Sequence, residues 1–156
     1  MKTAYLETIS LIERLHRQCL EVIKADLDRR GVRDLNNVQA LIIFNIGEEE
    51  LTVGELTHRG YYLGSNVSYN VKKLVENDYL IQERSQHDRR SFHVRASEKG
   101  LKIYRRIDEL FNRHADFMDE TKVTLDDLQA ANQALRRIEH FWAMPHVMGG
   151  RLQPAA

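Results

Sequence analysis

Apolar residues in this chain recur mostly at spacings of three and four, and one stretch breaks that rhythm. Ile9, Ile12, Leu15, Cys19, Val22, Ile23 and Leu27 share a helical face, which predicts a first helix over residues 3–30. Gly31 is its stop, and Arg29 and Arg30 fall in the last turn, where cations suit the carbonyl end of the helix dipole. Such a helix is longer than one small core needs and reaches toward a partner. Val38, Leu41, Ile42, Phe44 and Ile46 predict a second helix, capped by Asn36 or Asn37, ended by Gly47 and apolar enough to be buried. Residues 48–50 read as a solvated acidic loop. Thr52 followed three residues later by Glu55 is a capping-box pattern for a short helix over 53–59.

Glycines at 60 and 64 mark a turn before the next helix, over 65–77. Its buried stripe is Val67, Val71, Leu74 and Val75, so Ser65, Asn66, Ser68, Tyr69, Asn70, Lys72 and Lys73 point elsewhere. Residues 80–84 and 91–96 then read as the two strands of a hairpin, joined by 85–90. Ser97 caps a long helix over 98–119 with Ile103, Ile107, Leu110, His114 and Phe117 on one face. Thr124 and an acidic first turn open the last helix, which Pro145 ends. Its Leu128, Ala131, Leu135, Ile138 and Trp142 form a narrow seam suited to pairing with another helix.

The fold class expected is mainly α with a small β-hairpin wing: a winged helix-turn-helix domain over 35–97, flanked by dimerisation helices over 1–34 and 98–147. The terminal helices are not needed to complete the winged domain, and their seams need a mate. A twofold homodimer is the economical solution, because it presents two recognition helices about 34 Å apart, one turn of DNA.

The chain has 156 residues, 42% hydrophobic and 29% charged, which is globular composition. No apolar run approaches the roughly 18 residues that span a bilayer, and no signal-peptide core opens the sequence, so no membrane partner and a cytosolic location are expected. The net charge is zero, yet residues 58–97 carry seven Lys and Arg against four Asp and Glu, whereas residues 1–57 carry seven against ten. Phosphate attraction is local and screened within about 10 Å, so this segmental excess outweighs the total.

The element order, Asp88 and Arg90 in the wing, and Ser97-Glu98-Lys99-Gly100 after it resemble the MarR family of bacterial transcription regulators, over nearly the whole chain. Val67-Ser68, the stretch Leu74-Val75-Glu76-Asn77-Asp78-Tyr79-Leu80, and the wing Asp88-Arg89-Arg90 carry the likeness most specifically. The segment Gly60-Tyr61-Tyr62-Leu63-Gly64-Ser65-Asn66-Val67-Ser68-Tyr69-Asn70 is further similar to alphaproteobacterial LdtR-type regulators. Two departures stand in the helix that would choose the sequence. Asp78 replaces the usual small residue after it, and Tyr69 replaces the usual basic residue after Val-Ser.

Double-stranded DNA with a palindromic operator is the partner implied. Ser65, Asn66, Ser68, Tyr69, Asn70 and Lys73 are the major-groove candidates. Asn reads adenine through paired bonds, Ser and Tyr meet a phosphate or a base edge, and Lys supplies charge. The resemblance places Arg90 in the minor groove with Asp88 holding it, which suits a guanidinium in a narrow groove of concentrated negative potential. Arg89, Arg84 and Arg95 are candidate phosphate contacts, the last two on faces the alternation leaves open. The resemblance also implies a small aromatic or anionic effector. Phe44, Tyr61, Tyr62 and His16 are conceivable lining residues but read better as core, so no effector site is assigned.

No phosphate-binding glycine loop, HExxH, CxxC or nucleophile elbow occurs, and the seven histidines are scattered, so neither an enzyme, a metal site nor a cofactor is expected. Two alternatives remain. One is a winged-helix protein-interaction module without DNA contact. The other is a redox-responsive regulator acting through the lone Cys19, which would need an accessible thiol of lowered pKa rather than a packed one.

Overall fold

A computed structural model describes residues 1–60, 64–84, 92–118 and 120–144, with the side chains of residues 60, 64 and 65 excepted. The element order is α1 (Lys2–Arg29), α2 (Asn37–Ile46), β1 (Glu50–Thr52), α3 (Val53–Gly60), α4 (Gly64–Glu76), β2 (Leu80–Arg84), β3 (Phe92–Ala96), α5 (Glu98–Met118) and α6 (Leu125–Ala143). The chain divides into two compact units, Met1–Phe111 and Asn112–Ala156.

Local chemistry sets the helix starts. At α2 the Gln39 N–H donates to the Asn36 side chain (2.8 Å) while the Asn36 N–H donates to the Gln39 side chain (3.1 Å). The same reciprocal box opens α3 with Thr52 and Glu55 and α6 with Thr124 and Asp127. Each box satisfies two backbone donors that have no partner inside the helix.

Helix ends use the left-handed region. After α1, Gly31 has φ 70°, with Gly31 N–H donating to Asp28 O and Val32 N–H to Leu27 O. After α4 the same pair of bonds forms from Asp78 N–H to Val75 O and from Tyr79 N–H to Leu74 O. The left-handed residue here is Asp78, at φ 61°. A side chain at that φ meets the steric penalty glycine avoids, and Asp is among the few residues that tolerate it. The departure noted in the sequence therefore sits at a backbone position that favours glycine.

The acidic segment before Thr52 corrects the two-stranded expectation. Residues 50–52 form β1 on the outer edge of β3, giving an antiparallel sheet of order β1-β3-β2. Leu51 lies opposite Val94, and both are buried; this pairing holds β1 in place despite its brevity.

The first unit's core joins Ile23 and Leu27 of α1 to Ile42, Ile43 and Ile46 of α2, Leu56 of α3, Val67, Val71 and Leu74 of α4, Val94 of β3, and Ile103 and Ile107 of α5. Phe44 stacks on Tyr104 and meets Phe111 edge-on, as the sequence reading of Phe44 as a core residue expects. His16 is exposed rather than core, and Tyr61 and Tyr62 lie outside the described residues. On α5 the buried positions end at Leu110, and His114 and Phe117, which continue the same spacing along the helix, are exposed.

The residues Ser97-Glu98-Lys99-Gly100 form a joint. The Ser97 hydroxyl donates to the Asp78 carbonyl (2.6 Å) and accepts from the Gly100 N–H (3.1 Å), so it caps α5 and ties it to the end of α4. A Cβ at Gly100 would overlap the Tyr79 carbonyl oxygen, so only glycine lets the two backbones approach this closely.

Candidate nucleic-acid interface

The helix pair α3–α4 and the hairpin β2–β3 build the site. Val67, Val71 and Leu74 of α4 are at most 2% exposed, and α4 packs against α2, α3 and β2. That anchoring turns the rest of the helix outward. Asn66, Ser68 and Tyr69 are exposed, Tyr69 to 61%, a large aromatic side chain left in water on a helix that is otherwise well seated. Ser65 belongs to α4 by its backbone, and its side chain lies outside the described residues.

The other two candidates on α4 are partly engaged. The Asn70 side-chain amide donates to the Asn66 carbonyl one turn back (2.9 Å). Lys73 Nζ donates to Glu76 (2.7 Å), and this bond pushes the ammonium above its ordinary range. Lys72 is a looser neighbour of the same carboxylate at 4.0 Å. Among the described residues, no hydrogen bond occupies the side chains of Asn66, Ser68 or Tyr69. These three form the free polar surface of the helix.

Strand register settles the faces of Arg84 and Arg95. Arg84 lies opposite Phe92 at the outer end of the hairpin, with its guanidinium 5.5 Å from that ring's centroid. Arg95 lies opposite Ile81, one residue out of step, and therefore on the other face. There it donates to Glu83 (3.2 Å), which already offsets its charge. Arg84 is thus the cation that stands on the Phe92 face near the wing loop. Asp88, Arg89 and Arg90, in that loop, lie outside the described residues.

Cys19 is half-buried, and burial pushes its thiol up from the ordinary value. That is the opposite of the shift that makes a sensing thiolate. Among the described residues, no group of three His, Cys, Asp or Glu could hold a metal ion. No helix among them is long and apolar enough to cross a membrane.

A helix-turn-helix whose second helix offers a polar face beside a β-hairpin defines a winged helix DNA-binding domain, and residues 35–100 match the family model of that description. The chain is 36% identical over 138 residues to the exopolysaccharide II synthesis transcriptional activator ExpG of Rhizobium meliloti (strain 1021), covering 88% of this chain and 71% of that protein. AbsC, a MarR family transcriptional regulator from Streptomyces coelicolor, shares the fold at a TM-score of 0.70 and 21% identity, over 92% of this chain and 97% of AbsC. FabT of Streptococcus pneumoniae, solved in complex with DNA, does so at 0.63 and 18%, over 88% and 96%. The chain belongs to the MarR-type winged helix transcriptional regulators, a family of DNA-binding regulators rather than enzymes.

Proposed function

We propose that this regulator works as a homodimer that reads a palindromic operator and is modulated by a small aromatic or anionic effector, in the cytosol. The observation that carries the reading is the free face of α4: Asn66, Ser68 and Tyr69 exposed on a helix locked by Val67, Val71 and Leu74. In this reading α4 enters the major groove with Ser65, Asn66, Ser68, Tyr69, Asn70 and Lys73. Asn66 is the natural adenine reader, because its amide is uncommitted. The Tyr69 ring supplies apolar contact or a hydroxyl to phosphate. Lys73 must exchange Glu76 for a phosphate. The wing residues Asp88, Arg89 and Arg90 serve the minor groove and its flanks. Arg84 and Arg95 serve phosphates, Arg95 at the cost of its bond to Glu83.

Dimerisation through residues 1–34 and 98–147 is supported by the uncovered apolar side chains there. Leu6, Leu11 and Leu15 of α1 are exposed, and no described residue of α6 is buried. The finer likeness to LdtR-type regulators rests on residues 60–70 alone.

Selection of bound sequences from a random-duplex pool tests the reading. The expected product is an inverted repeat with half-sites about 10–10.5 base pairs apart, centre to centre. An unenriched pool, or a single half-site bound by one chain, would overturn it.

A further inference from the structure

The outward side of α4 is polar except at one place. At about 100° per residue, the buried Val67, Val71 and Leu74 fall within about 60° of one another, and Tyr69 stands nearly opposite their centre, about 170° away. Asn66 and Ser68 lie about 90–110° from that centre, one on each flank. Tyr69 is therefore the crown of the helix, and its 61% exposure agrees with that placement. Among the described residues of α4 it is the one large apolar side chain left exposed, and its hydroxyl has no hydrogen-bond partner.

Charge marks which part of this crown suits a groove. Glu76, seven residues on, falls on the same line as Tyr69. Its carboxylate would be repelled by phosphates, and it is held by Lys73 (2.7 Å) with Lys72 at 4.0 Å. The turns centred on Tyr69 carry no acidic residue. On a helix laid in the major groove, the crown faces the floor, where base edges lie, and the flanks face the walls, where phosphates lie. The side chain over the floor is then an aromatic ring, not an amide or a cation. Of the groups that the four base pairs present in that groove, the thymine C5 methyl is the apolar one. A ring packed on that methyl removes apolar surface of both from water, which is about fourfold in affinity for one methyl group.

We propose that Tyr69 is a specificity-determining residue that selects thymine by packing its ring on the C5 methyl. The inference rests on the DNA-binding reading above and adds which base lies beneath the centre of α4. The ring carries the contact, and the hydroxyl is dispensable to it.

The test compares the selected operator with versions in which each thymine in turn is replaced by deoxyuridine. That change removes the methyl and leaves every hydrogen-bonding group of the base in place. Fluorescence anisotropy at one salt concentration gives the affinities of the parent, Tyr69→Ala and Tyr69→Phe, and their unfolding temperatures are compared alongside. Because Tyr69 is exposed, all three should unfold alike. In the parent, loss of the methyl at one thymine of each half-site should weaken binding about fourfold per copy. Tyr69→Phe should keep that sensitivity, and Tyr69→Ala should lose it at the same position. A parent indifferent to deoxyuridine at every thymine would overturn the proposal. So would a Tyr69→Ala chain that still senses the methyl, or a Tyr69→Phe chain that no longer does, since the last result would assign the contact to the hydroxyl. These arms all use an operator that the parent binds, so their failure leaves the DNA-binding reading standing. A random-duplex pool that yields no operator removes both.

Discussion

Helices α4 and α6 carry similar apolar stripes and have opposite fates. In α4, Val67, Val71 and Leu74 are sealed against α2, α3 and β2. In α6, Leu128 and Leu135 stay 41% and 39% exposed and no residue is buried. The difference repeats within α1, where Ile23 and Leu27 are buried while Leu6, Leu11 and Leu15 are not. An apolar stripe therefore has two meanings in this protein. Inside the winged domain it anchors a helix so that its polar face can be offered outward. At the chain's two ends it is surface without a mate, which the proposed dimer would cover.

The sharpest way to break this comparison is a pair of truncations. Ile42→Ala, in the sealed core, should cost about 2–5 kcal/mol of folding stability. Leu135→Ala should leave the fold of the single chain nearly untouched and weaken self-association by about 1.5–3 kcal/mol per copy. Denaturation at several protein concentrations, with sedimentation equilibrium, separates them. If Leu135→Ala unfolds the chain as severely as Ile42→Ala at every concentration, the distinction between the two stripes is lost.

The wing gives the next effect. Arg90→Ala should weaken operator binding by about 1–3 kcal/mol with little change in thermal stability. Unchanged affinity in a gel-shift series would remove the wing from the interface.

A smaller effect is expected at the end of α4. Asp78→Gly relieves a left-handed residue of its side chain and should raise stability by about 1 kcal/mol. A loss of stability on denaturant unfolding would show that the Asp78 side chain has a favourable role its φ conceals.

The smallest concerns pH. The Lys99 ammonium and then the Tyr79 hydroxyl hold the Asp34 carboxyl below its usual range. Stability from this group is present above its unfolded pKa, about 3.9, and is lost as pH falls through the lower folded value. Asp34 and Lys99 are each about half exposed, so solvent screening keeps the contribution under about 1 kcal/mol. Asp34→Asn should flatten the acid limb of the stability curve below about pH 4. An acid limb identical to the parent's would remove Asp34 from it.

The parts of the fold legible in the sequence were those written in local chemistry. The caps at Asn36, Thr52 and Thr124 bond to residues three positions on, and the stripe of α4 needs only helical periodicity. β1 was not legible, because three residues with one apolar position become a strand only when Val94 lies opposite Leu51. The faces of Arg84 and Arg95 depended on register, which a strand does not reveal without its partner. The bonds from Asn70 to Asn66 and from Lys73 to Glu76 needed side-chain positions. Asp78 stood out in the sequence as a departure, but its reason was a backbone angle. The polar contacts among Asp34, Tyr79 and Lys99 join residues up to 65 positions apart and left no local trace.

The central claim is that the free face of α4 reads base sequence. Fluorescence anisotropy on the selected duplex and on a duplex with the same bases shuffled, over a range of salt, tests it most directly. The account predicts that the selected duplex binds about a thousandfold or more tightly at physiological salt. It also predicts that affinity for both falls with salt, as phosphate contacts require. Equal affinity for the two duplexes would contradict it.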